Sequence, residues 1–151
     1  MSPSPGQDFA PKILVVGRQN ELISILLEIV LKEEQSRFGV RSAGIEPSGR
    51  LHPGMKQFLG EYEPDDVEPE DLRSTPISVA LDDHVQLVAF TEPSVREEGP
   101  IIATTGDKIT LETGSLRKEL SETPNPDRFR AALEELRTTA GDEILETMGL
   151  D

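Results

Sequence analysis

The residues GRQNELIS, Gly17 to Ser24, stand between an apolar run, KILVV, and a stretch of helical pattern. A loop that passes from a buried strand into a helix presents unpaired backbone N–H groups at the positive end of that helix, which makes it a natural cradle for an anion. The side chains it carries are poorly suited to chemistry. Arg18 can reach an anion or point into solvent. Glu21, at the mouth, repels a phosphate. Ser24 is a hydroxyl at the helix start, but a serine nucleophile needs an adjacent base, and neither His52 nor His84 is expected near it. The common nucleotide-binding patterns, G-x-G-x-x-G and G-x-x-x-x-G-K-[ST], are absent. A phosphorylatable receiver domain would need acids directly after KILVV, where Gly17 and Arg18 stand.

The elements that must position this loop follow from periodicity. KILVVG (Lys12–Gly17) is a continuous apolar run ended by Gly, the pattern of a strand buried on both faces in a parallel sheet. From Glu21 the pattern turns helical: Glu21, Ser24, Glu28 and Lys32 form one narrow polar stripe on an otherwise apolar helix. Glu28 and Lys32 are spaced to pair at i,i+4 on that wet stripe. So apolar a helix is either core or buries a second face against a partner, a second copy of the chain included.

Phe38–Gly44 reads as a second strand, Gly54–Tyr62 as a short helix with Met55, Phe58 and Leu59 on one side, and His84–Phe90 as a third strand. EPDDVEPEDLRSTPIS reads as an exposed loop, EPSVREEG as a helical turn, and Pro100–Gly106 as a fourth strand. DKITLETGS alternates like an edge strand or hairpin arm. Asn125, Pro126 and Asp127 form a strong helix start, with cap, first-turn proline and an acid at the positive end. Phe129, Leu133 and Leu136 of that helix face the core, and Gly141 marks a break before a last short helix. Strands alternating with helices imply an α/β fold with a parallel sheet, whose ligand site lies beyond the carboxyl ends of the strands.

Composition sets outer bounds. The net charge of −14 argues against general affinity for nucleic acid or an anionic membrane, and favours solubility or a basic partner. The absence of cysteine excludes disulfides, thiolate metal sites and cysteine nucleophiles. Residues 1–11 read as a flexible leader without signal-peptide pattern, residues 12–151 as one domain, and the cytoplasm is the expected location. Asp82, Asp83 and His84 are metal-ligand types, but neighbours on a strand point to opposite faces. A solvated strand entry is expected there, and no metal or cofactor is implied.

In the order of its motifs the chain resembles the low-molecular-weight protein tyrosine phosphatases and the related arsenate reductases. Their first strand enters a phosphate loop of form C-x-G-N-x-C-R-S. Laid on this chain, that loop is Gly17, Arg18, Gln19, Asn20, Glu21, Leu22, Ile23, Ser24, in which Asn20 and Ser24 match. VRSAGIEPSG resembles the family's second strand and turn, LHPGMKQFLGEY falls at its second helix, DDHVQLVAFTEPS at an acid-led strand, and NPDRFRAALEELR at an Asp-Pro and its last helices. The resemblance spans roughly Lys12 to Leu150 in order. It implies a three-layer α/β fold, a four-stranded parallel sheet of strand order 2-1-3-4 flanked by helices.

The departures carry equal information. The family's nucleophilic Cys falls at Gly17, its phosphate-gripping Arg at Ile23, and its general-acid Asp at Asn125. Asn125 delivers no proton at neutral pH. The resemblance therefore implies an inherited scaffold without its catalysis: a degenerate phosphate loop in a domain that acts by binding. The expected ligands are a protein partner or a small anion such as phosphate or sulfate. Asn20 is expected to hold a left-handed turn, which Asn tolerates better than most residues. Asn125 is expected to cap a helix.

Overall fold

The computed structural model describes residues 12–34, 39–62, 72, 74–77, 85–99, 107–122 and 125–149. The leader, the acidic stretch 63–71, Asp82, Asp83, His84 and the strand expected at Pro100–Gly106 lie outside these. In chain order the elements are β1 (Lys12–Gly17), α1 (Ile23–Glu34), β2 (Gly39–Gly44), α2 (Pro53–Glu61), β3 (Val85–Phe90), α3 (Pro93–Glu98), β4 (Asp107–Thr110), α4 (Gly114–Glu122), α5 (Pro126–Thr138) and α6 (Ala140–Thr147).

The strands form one parallel sheet in the order β2-β1-β3-β4, as the motif order implied. β1 lies inside the sheet, so both its faces are covered and its run is apolar throughout. Ile13 and Val15 enter a large core with Leu87, Ala89, α1, α2, α5 and α6. Leu14 and Val16 point the other way, into a smaller core with Val88, Phe90 and Val95 of α3. This period-two division separates the helical layers.

β4 decides between the two readings of DKITLETGS. It runs parallel to β3 at the sheet edge, so DKIT is an edge strand and not a hairpin arm. A departure from expectation is α4, a helix where the sequence reading had placed only the end of an alternating segment. Its Leu120 is buried and its Leu116 packs against the large core. Near the carboxyl terminus the break falls at Thr139, which separates α5 from α6, while Gly141 lies inside α6.

α1 begins at Ile23, two residues after the onset expected, and every residue from Ile23 to Leu31 is buried. β1, β2, α5 and α6 enclose it, so it offers no second face to a partner. The wet stripe does not exist either. Glu28 is buried, with Oε1 accepting from Ser42 Oγ at 2.5 Å and Oε2 pairing with Lys32 at 2.7 Å. The i,i+4 pair forms, but its acid faces β2, where Ser42 compensates the desolvation of the carboxylate.

Tyr62 stacks on Phe58 with ring centroids 5.1 Å apart, and Phe58 in turn stacks on Phe129 at 5.7 Å. The Tyr62 hydroxyl donates to Glu33 of α1, and Arg137 of α5 pairs with both Glu33 and Glu34. Aromatic stacking and ion pairs thus join α1, α2 and α5 at one corner. Asn125 caps α5 as its type suggested, its Oδ1 accepting from Arg128 N at 3.0 Å. Among the described residues no helix is long and apolar enough to cross a membrane.

Candidate functional site

The β1–α1 loop is held from outside by its carbonyls. Gly17 O accepts from Ile45 N at 3.1 Å, Arg18 O from Glu46 N at 2.7 Å, and Gln19 O from Ser74 Oγ at 2.5 Å. The loop and β2 approach so closely that a Cβ on Gly44 would lie 2.9 Å from Arg18 O. Only glycine fits there.

Asn20 organises the turn. Its φ of 56° is left-handed, as expected from its type. Its Oδ1 accepts from Thr75 N at 2.8 Å, and its Nδ2 donates to Ser24 Oγ at 2.8 Å. Both side chains are buried. With the carbonyls engaged outward, the amides of Gln19 through Ser24 find no protein acceptor among the described residues. The cradle inferred from the sequence is thus present as a set of unpaired donors at the start of α1.

The loop lines a hollow of about 80 Å³, and the expected residues from Gly17 to Ser24 all contribute to its wall. It lies beyond the carboxyl ends of β1 and β3, where open parallel sheets place their ligand sites. His52, Thr91, Arg117 and Ser121 complete the wall.

The expected groups have different fates. At Gly17, the would-be nucleophile position, an added Cβ would lie 3.0 Å from Ser24 Oγ and 3.2 Å from Ser24 Cβ. Leu22 and Ile23 belong to the large core. Arg18 turns its guanidinium to two acids, Nη1 to Glu46 at 3.2 Å and Nη2 to Glu98 at 2.8 Å. The bond to Glu98, against a smaller effect of burial and with help from Glu46, raises its pKa further. Arg18 is therefore committed within the protein. Asn125 is not among the residues lining the hollow; its side chain is spent on the α5 cap.

His52 corrects an expectation, since it lines the same hollow as Ser24. It is no activating base, however. Its Nδ1 accepts from Gly54 N at 3.0 Å as the cap of α2, so that nitrogen is unprotonated and occupied. The other ring nitrogen is then the N–H of the neutral ring. Ser24 Oγ meanwhile accepts from Asn20. The paired nucleophile and base that serine chemistry requires is not assembled.

Arg117 and Glu92 are the site residues that the sequence reading missed. Glu92 follows β3 and is buried, and its carboxylate takes Arg117 Nε and, at 3.2 Å, Nη2. Thr91, beside it, is bound by Thr113, whose N–H and hydroxyl both donate to Thr91 O. The β4–α4 connection is thereby fixed to the end of β3, and α4 carries Arg117 to the hollow. The signal was available: Leu116 and Leu120 are spaced i,i+4, a helical pair following Thr113. Among the described residues no group of His, Asp and Glu is placed to hold a metal ion.

No protein-family model and no curated protein sequence matches this chain. Solved structures do. An arsenate reductase from Archaeoglobus fulgidus superposes with a TM-score of 0.60 at 17% identity, covering 87% of this chain and 98% of that one. The tyrosine phosphatase Wzb from Escherichia coli K30, solved in complex with sulphate, gives 0.60 at 16% identity, covering 91% and 97%. A low-molecular-weight protein tyrosine phosphatase from Bacillus subtilis gives 0.57 at 20% identity, covering 90% and 97%. The chain thus has the fold shared by low-molecular-weight protein tyrosine phosphatases and arsenate reductases, built without a cysteine.

Proposed function

We propose that this chain is a pseudophosphatase, a phosphatase-like domain without phosphatase chemistry that works by binding, in protein–protein regulation in the cytoplasm. The observation that carries this reading is the state of Gly17. Where the similar folds suggest an attacking thiolate, there is no side chain, and the space a Cβ would take is bounded by Ser24 Oγ at 3.0 Å. Ile23 and Asn125 support it, since neither can grip or protonate a phosphoryl group, and one is core while the other is a helix cap.

Incubation of the purified chain with an aryl phosphate at neutral pH tests the inactive half of the proposal. The expected phosphate release equals that of a boiled control, and turnover by clean protein overturns the reading. Capture of a saturable protein partner from the native host tests the binding half.

A second reading, a small-anion or phosphoryl-ligand sensor, is favoured by one observation: the unpaired amides of Gln19 through Ser24 around the hollow. It loses the help of Arg18, whose guanidinium is held by Glu46 and Glu98.

A further inference from the structure

We propose that Arg117 of α4 supplies the guanidinium for an oxyanion ligand in the hollow, the part that Ile23 in the loop cannot play. This rests on the binding reading above and gives the ligand a chemistry: a tetrahedral oxyanion, either free or as the phosphoryl group of a larger molecule.

Two donor sets from separate elements meet at this hollow. One is the row of loop amides, which has no acceptor among the described residues. The other is Arg117. A guanidinium has two edges that can grip an acid, one through Nε and an Nη, the other through both Nη atoms. Glu92 takes the first edge of Arg117. The second edge, with Nη1 wholly unused, has no acceptor among the described residues. Arg18 is in the opposite condition, because its two Nη atoms are the ones engaged by Glu46 and Glu98. Of the guanidiniums lining the hollow, Arg117 therefore keeps its end-on fork open.

Glu92 acts here as a positioning residue. It is buried at the end of β3, while the Arg117 side chain is 44% exposed. A fixed acid holding one edge of a half-exposed guanidinium sets the plane and direction of the other edge. Holding the fork in one orientation in advance lowers the ordering cost of binding. Glu21, also in the wall, opposes an anion and limits the affinity.

The test is an inorganic phosphate titration of the isotope-labelled full chain, followed by the amide resonances of Gln19 through Ser24. Wild-type protein is expected to show saturable shifts there. Glu92→Gln combined with Arg117→Met removes the fork without leaving a buried unpaired carboxylate. It should weaken binding at least tenfold, about the effect of losing a charge-assisted hydrogen bond. Arg117→Lys keeps the charge but not the fork and should weaken it as well, which serves if the double variant does not fold. Lys118→Met, which removes a neighbouring exposed charge, should retain the wild-type affinity.

O-phosphoserine in place of phosphate distinguishes the sources: tighter binding assigns a phosphoryl group on a larger ligand, weaker binding a free ion. Absence of saturable shifts in the wild type, or unchanged affinity in both Arg117 variants, overturns the proposal. Either result leaves the pseudophosphatase reading standing, because that reading is tested by aryl phosphate turnover and by capture of a protein partner.

Discussion

Asn20 Nδ2 and Ser24 Oγ meet at 2.8 Å across the first turn of α1, and both residues are buried. The contact makes the Ser24 hydroxyl a brace of the loop. Asn20 supplies the left-handed residue, ties the turn to Thr75 N, and occupies Ser24.

Replacement of Asn20 separates these contributions. Asn20→Gly keeps the backbone freedom and loses the side-chain bonds, while Asn20→Ala loses both. Asn20→Gly is expected to cost about 1–3 kcal/mol through the unpaired partners. Asn20→Ala should cost roughly 1 kcal/mol more for the left-handed backbone. Urea unfolding monitored by circular dichroism reads the order, and equal values would remove the backbone term.

Restoration of a thiol should fail in an informative way. Gly17→Cys places a Cβ against Ser24, so it is expected to destabilise by about 1–3 kcal/mol as overpacking does. Gly17→Cys with Ile23→Arg should show the same aryl phosphatase activity whether or not Asn125→Asp is added, because Asn125 is absent from the wall of the hollow. A rise in turnover on adding Asn125→Asp would show that residue 125 reaches the reacting group.

The buried acid on α1 gives a third expectation. Ser42→Ala deprives Glu28 of its donor from β2 and should cost about 1–3 kcal/mol. In a Glu28→Gln background the same change should cost less, since a neutral amide demands less compensation in the interior. A double-mutant cycle by chemical denaturation measures the difference, and additive values would sever the link between Glu28 and Ser42.

Tyr62 provides a pH signature. Its pKa is pushed up to about 12, first by burial and then by the hydrogen bond to Glu33. The folded state therefore holds the phenolic proton more tightly than the unfolded chain, whose value is 10.0. The stabilisation is complete below pH 10 and is lost as pH rises from there through about 12. Tyr62 is the sole tyrosine and there is no tryptophan, so phenolate absorbance reports this one group. The midpoint should fall by about two pH units on denaturation, and a native midpoint near 10 would refute the burial of the Tyr62 hydroxyl together with its bond to Glu33.

β1 and the α5 cap were legible in the sequence because each depends on local pattern, whereas the strand order was implied by the family resemblance alone. KILVVG is apolar throughout since both faces of β1 are covered, and Asn125-Pro126-Asp127 signals a helix start regardless of context. Glu28 was misread for the opposite reason: its partner Ser42 is brought to it by the packing of α1 on β2, which no helical wheel contains. Arg117 and His52 escaped notice as site residues because they arrive at the hollow from α4 and from the cap of α2. The strand expected at Pro100–Gly106 lies outside the described residues, and the edge of the sheet is taken by Asp107–Thr110.

The enclosure of α1 also bears on biosynthesis. The most apolar helix leaves the ribosome early, while α5 and α6, which close over it, are made more than 90 residues later (Glu34 meets Arg137, |i−j| = 103). Until then the chain carries an exposed greasy helix that invites chaperone capture or coaggregation. A product truncated before Pro126 would keep the loop and lose the cover, and is expected in the insoluble fraction or degraded.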